Sequence, residues 1–327
     1  MRMRFAIARS WLGALALVSM VAACGRPSQL GLPASATPAV RGSWMLPDAS
    51  KADLMYVADA YDDRVDVYAY PNGRRVGELT GFAGLAFMCV DGGGDVFIPD
   101  YGASQILEYA HGGTKPMETL SDGKAEPYSC SVDPTTGNLA VANFGVEGDK
   151  FGDVVIYRDA KGKPKAFSVD EEMAHAYFCA YDDSGNLFAE GSSPAASGGS
   201  FGFAEKSKGA SQFAPVTLED VPVLPSGLQW DGTYLAIGTG TIAGPSSGNT
   251  YVYHVEVAHF VGKTIATTQL VEKAPTADFF IDGSTIVASG GDAQSTIGFF
   301  HYPKGGAPVK TLTETSPFGV VVSPAAK

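Results

Sequence analysis

The sequence predicts an all-β fold and, within that class, a six-bladed β-propeller. Three observations carry the prediction. Short runs of β-branched, aromatic and small apolar residues are broken by D-P, T-G and K-G turns; a unit built of such runs recurs along the chain; and the incomplete units at its two ends complement each other.

The clearest unit runs from Pro127 to Pro164 and reads as three strands, Ser129 to Val132, Leu139 to Ala142 and Val154 to Tyr157, with a turn at Asp133 to Gly137. Four other stretches repeat its opening, an apolar run, an acidic turn and a second apolar run. They are Phe87 to Asp91 with Val96 to Asp100, Phe178 to Asp182 with Leu187 to Glu190, Leu228 to Asp231 with Tyr234 to Gly238, and Phe279 to Asp282 with Ile286 to Ser289. The strand that follows carries an aromatic, expected at one register: Tyr109, Tyr157, Phe203, Tyr253 and Phe300, with Tyr68 before them. Their spacing of roughly 41 to 50 residues is the period of a four-stranded blade.

The ends obey the same logic. Phe318 to Ser323 matches a first strand with no second strand after it. Leu54 to Asp59 matches a second strand, followed by Val65 to Tyr70 and Arg75 to Leu79, with no first strand before it. Pairing the two would complete a sixth blade and remove sheet edges that otherwise invite aggregation.

Residues 1–24 stand outside this pattern. Arg2, Arg4 and Arg9 precede an apolar stretch, Trp11 to Ala22, too short for a permanent membrane span, and Val21-Ala22-Ala23-Cys24 closes it. The segment resembles the bacterial lipoprotein signal. That resemblance implies lipidation of Cys24 as the first mature residue and a lipid-anchored protein outside the cytoplasm, in the bacterial periplasm; Gly25 implies the outer membrane. Acyl chains would be the sole contact with the membrane. Residues 25–50, rich in Pro, Ala, Ser and Gly, read as a flexible tether, and residues 51–327 as the propeller.

Net charge is −12, and loss of the signal leaves 20 basic against 35 acidic residues, or −15. Such a surface repels phosphate backbones, so no nucleic-acid partner is expected. With Cys24 lipidated, Cys89, Cys130 and Cys179 remain, an odd number in an oxidising compartment. Cys130 and Cys179 each stand three residues before their turn Asp and Cys89 two before Asp91. Cys130 and Cys179 therefore form the pair that shares a face, and the bridge considered is between them if their Cα atoms approach within about 7 Å; otherwise all three are small buried hydrophobes.

The stretch P-Y-S-C-S-V-D-P-T-T-G-N-L-A-V-A-N resembles an NHL-type blade, with Pro before the first strand, Asp at its end and a following G-N-L-Y-V-A-D, and so also the gluconolactonase-like propellers. Those families include enzymes, binding modules and uncharacterised bacterial lipoproteins, so the resemblance implies an architecture more than a function. In the gluconolactonase type it implies a divalent metal in the central channel on a Glu of an E-G-P motif, two Asn and an Asp. Here E-G-P is missing, Asn143 alone stands at a family-like position, and Asp100 or Asp278 would have to supply a carboxylate. No cofactor is therefore expected, with a metal-dependent lactonase as the alternative.

Propeller sites usually lie on the face that carries the loops between second and third strands and between blades. The residues expected there are Asp59, Tyr61, Asp100, Tyr101, Asn143, His175, Glu190 and Asp278, an acidic and aromatic set suited to sugars or a hard cation. The cluster Asp59, Asp62, Asp63 and Asp66 lacks calcium-loop spacing and reads as solvated charge. The expected function is non-catalytic: a binding or assembly module for a protein or glycan partner in the cell envelope. The Gly/Ser-rich loops Ser192 to Ser200 and Thr241 to Asn249 are available for contact.

Overall fold

A computed structural model describes residues 42–147, 151–169, 173–192, 201–219, 225–239, 249–272, 276–290, 295–314 and 316–326. The signal segment with Cys24, residues 25–41 of the tether and nearly all of the two Gly/Ser-rich loops lie outside these. Among the described residues the chain forms six sheets, antiparallel except for the parallel pairing of Thr217–Leu218 with Val261–Leu270, and three short 3-10 turns.

Each sheet is a blade whose strands run outward in chain order. The first strand of each blade is innermost, so blade 3 runs Ala125–Val132, Leu139–Val146, Asp153–Tyr157 and Lys165–Ser168. Two blades depart from chain order: blade 5 carries Thr217–Leu218 outside its last strand, and blade 1 closes the ring. Its innermost strand is Pro317–Ser323, which pairs with Leu54–Asp59 in the register Tyr56 to Val321 and Val57 to Val320. The expected sixth blade is therefore shared by the two ends of the domain.

Strand structure begins within the stretch expected to be a tether. Trp44–Met45 pairs with Arg74–Thr80 on the outer edge of blade 1, so the ordered domain starts before Lys51. In blade 2 the first strand covers only Cys89–Val90, because the Phe87 amide leaves the sheet and donates instead to the Tyr128 carbonyl of blade 3 at 3.0 Å. The third-strand aromatics share one register in four blades, where Tyr68, Tyr109, Tyr157 and Phe300 face Met55, Val96, Leu139 and Ile286. Phe203 faces Glu190 and Tyr253 faces Ile237, so in blades 4 and 5 the aromatic sits three and two residues off that register.

The turn aspartates do what their position suggests. Asp91, Asp133, Asp182 and Asp231 each accept backbone N–H groups two to four residues on, at 2.7–2.9 Å, and so fix the turn from first to second strand. The core lies between blades and not in one central mass; one cluster joins blades 1 and 2 through Tyr56, Val65, Ile98 and Tyr109, and others repeat around the ring. A disulfide joins Cys89 to Cys130 with Cα atoms 5.4 Å apart, and Cys179 is a buried free thiol. This corrects both readings of the three cysteines: the bridge considered between Cys130 and Cys179 does not form, and Cys179 alone remains a small buried thiol. Residues at one register point the same way: Cys130 packs back against blade 2 and Cys179 back against blade 3. A bridge between neighbouring blades needs opposite parity, which Cys89 has and Cys179 lacks.

Candidate functional site

First strands run toward their turn Asp, so the ends of the second strands mark the opposite face of the ring. On that face, blades 1 to 3 enclose a cleft of about 290 Å³ lined by Ala60, Tyr61, Leu85, Tyr101, Tyr128 and Phe318. Tyr61 is 79% exposed and Tyr101 is 38% exposed, whereas Phe318 and Tyr128 are part of an apolar layer across the axis.

The Tyr61 loop is held from beneath. Asp59 Oδ1 accepts from the Tyr61 and Asp62 amides at 3.1 Å each, and its other oxygen pairs with Arg64 at 2.8 Å. Arg64 also bonds Asp62 at 2.6 Å and Asp66 at 3.0 Å, while Arg75 reaches Asp66 and Glu78. The acidic cluster is thus an ion-pair network. Asp59 and Asp66 are buried, which corrects the reading of the cluster as solvated charge. Asp100 is also buried and accepts from the Ala83 amide at 3.1 Å and from Gln105 at 3.3 Å, next to the 3-10 turn that carries Tyr101.

Asn143 belongs elsewhere. Its Nδ2 donates to Asp153 at 2.7 Å, and it neighbours the buried Asp122, to which Tyr157 donates at 3.1 Å in the interface of blades 2 and 3. His175 stacks on Phe144 with centroids 4.3 Å apart and Nδ1 2.7 Å from the Phe144 carbonyl. Phe144 in turn meets Tyr128, and Tyr128 meets Tyr101 and Tyr177, so an aromatic band runs from the cleft across to blade 4. The structure therefore brings Tyr61 and Tyr101 together directly and ties His175 to them through that band.

Carboxylates surround the cleft. Burial and then the neighbouring Asp63, Asp100 and Glu126 push the Tyr101 phenol up, and Asp63 is itself raised by partial burial and by Asp100 and Asp62. The local field is negative.

Glu190 and Asp278 lie deeper. Glu190 is fully buried with neither carboxyl oxygen hydrogen-bonded, although the Ser226 amide lies near enough to oppose in part the upward shift that burial imposes. Asp278 accepts from the Val320 amide at 3.1 Å, and burial pushes it up to about 7. Among the described residues no three His, Cys, Asp or Glu side chains converge as a metal site. Asn143 faces the interface of blades 2 and 3, whereas Asp278 sits on blade 6's inner strand, against that of blade 1. The donor set implied by the gluconolactonase resemblance therefore does not assemble.

Sequence reasoning missed the axial layer. Phe87 and Phe178 reach across from blades 2 and 4 to within 4.3 Å of each other, and Phe318 stacks on Phe87 at 4.9 Å. The signal was present: Phe87, Ser129, Phe178, Gly227 and Asp278 all stand four residues before their turn Asp. A Cβ on Gly227 would lie 2.9 Å from the Phe279 ring, so glycine makes room there where Phe87 and Phe178 carry rings of their own.

No protein-family profile and no curated relative matches the chain. Among solved structures it is similar to a chain in the crystal structure of a nidogen/laminin complex, with a TM-score of 0.64, 10% identity, and 84% of this chain and 99% of that one covered. At that identity the likeness bears on fold, and the conclusion it supports is that this chain is a six-bladed β-propeller.

Proposed function

We propose that this chain is a non-catalytic binding module that engages a protein partner through the cleft of blades 1 to 3. The observation that carries the reading is Tyr61, a large aromatic held 79% exposed by a loop that buried Asp59 and its partner Arg64 fix, over a cleft bounded by Tyr101 and carboxylates. Rigid exposed tyrosines are the usual anchors of protein interfaces, and the negative collar favours a partner that presents Arg or Lys. The solved neighbour comes from a protein–protein complex, which supports a protein over a glycan.

Lipid anchoring through Cys24 and residence outside the cytoplasm, in the bacterial periplasm at the outer membrane, belong to the same proposal. The Cys89–Cys130 disulfide supports an oxidising compartment. The test is a comparative pull-down from solubilised envelope. Tyr61→Ala and Tyr101→Ala should each weaken capture of one and the same protein about tenfold or more, as expected for loss of an anchor, while Phe260→Ala on the outer hairpin of blade 5 leaves it intact. Equal capture by all variants would overturn the cleft. Turnover of a lactone panel, with stoichiometric calcium or zinc in chelator-free protein, would favour the hydrolase alternative.

A further inference from the structure

The aromatic layer divides the axis, and beneath it lies a second, larger cavity of about 530 Å³ that opens among the turns at Asp91–Gly92 and Asp133–Pro134. All six blades contribute to its wall. Its size falls in the range of small-molecule sites. It is independent of the cleft proposed above, because it opens on the opposite face.

Its chemistry is one-sided. Phe87, Phe178, Phe279 and Trp230 supply aromatic surface, Asp91, Asp133 and Asp278 supply carboxylates, and no Lys, Arg or His lines it. The mouth is encircled by one aspartate per blade at the turn from first to second strand: Asp53, Asp91, Asp133, Asp182, Asp231 and Asp282. A cleft lined by a single sign of charge concentrates ions of the opposite sign. Five of these aspartates are occupied in holding backbone amides and Asp282 is bonded by the Tyr70 phenol, so they set the field without themselves making the site.

Two polar groups on the wall are left over. The Trp230 indole N–H is buried without a partner. Ser129 is 3% exposed, stands at the same inward register as Phe87 and Phe178, and makes no well-formed hydrogen bond, the neighbouring Cys179 thiol being a weak one. Buried indole N–H and hydroxyl groups normally find partners. We infer that the axial cavity binds a small organic ammonium bearing a hydroxyl, of the choline or amino-alcohol class. Asp278 meets the cation, the aromatic rings meet its alkyl groups, and Ser129 with Trp230 meets its oxygen. Aromatic faces and a desolvated carboxylate together suit such cations, whereas an anion would face carboxylates with no base to receive it.

Trp230 is the reporter. In the full chain, Trp11→Phe with Trp44→Phe leaves it as the sole tryptophan. Titrating choline at pH 8, where Asp278 is ionised, should change its emission saturably, and 3,3-dimethylbutan-1-ol, the neutral isostere, should bind about tenfold or more weakly. That comparison needs no change in the cavity. Asp278→Asn, checked for folding by circular dichroism, should weaken choline by a similar factor and leave the neutral alcohol unaffected. Equal binding of the two ligands, saturation by glucose in place of choline, or no saturable response to choline would each overturn the inference.

Discussion

Glu190 occupies a position that in the other blades holds Ala58, Pro99, Ala142, Gly238 and Ser289, none larger than proline. A carboxyl buried there without a hydrogen bond is held in its neutral form, as is Asp278 below about pH 7. Both are acids whose folded value lies above the unfolded one. The contribution of each to stability is thus full below its unfolded value and is lost as pH rises toward its folded one, which for Asp278 means from 3.8 to about 7. For Asp278 a shift of that size corresponds to roughly 4 kcal/mol. Melting temperature should therefore fall between pH 5 and 8, and Asp278→Asn should flatten the fall. Glu190→Gln should raise the melting temperature at pH 8 more than at pH 5; an equal or negative effect at pH 8 would contradict a neutral buried Glu190. The turn aspartates were legible in the sequence because their bonds reach only four residues along the chain. Burial of Glu190 was not, since the same letter at a strand end suits a solvent-facing rim equally well.

At the level of strands, the alternation of apolar runs with Asp turns located the innermost and second strands of every blade, because a hairpin is a local object. The outer strands and the cysteine pairing were less readable, since both depend on neighbouring blades. Cys89 and Cys130 meet because the strand ahead of Cys89 is drawn to Tyr128, a contact between blades 2 and 3 that no spacing within either blade records. The bridge closes a separation of 41 residues, for which chain entropy predicts about 4 kcal/mol. Cys89→Ser with Cys130→Ser should lower unfolding free energy by that order in denaturant titration. Thiol titration of the unfolded, unreduced chain should find Cys179 as the single reactive thiol beyond residue 24; three would contradict the bridge.

Across the whole molecule, the architecture was readable because two unfinished blades complement each other. The interior was not, since the axial layer joins residues from blades 1, 2 and 4 that approach only when the ring is complete. Deleting residues 317–327 removes the inner strand of blade 1 together with Phe318 and Ser323, whose hydroxyl bonds Gly94 at 2.5 Å and His111 at 2.6 Å. The loss exposes Met55 and Val57 and opens the interfaces on both sides. Cooperative unfolding should give way to a broad, early transition in calorimetry, and an unchanged profile would contradict closure by that strand.

The seam also orders events during synthesis. Leu54–Asp59 leaves the ribosome among the first ordered segments, and the strand it needs is among the last. A nascent chain therefore carries an unsatisfied edge until Pro317–Ser323 has emerged, and any premature stop before residue 317 yields a product that chaperones and proteases would treat as unfinished.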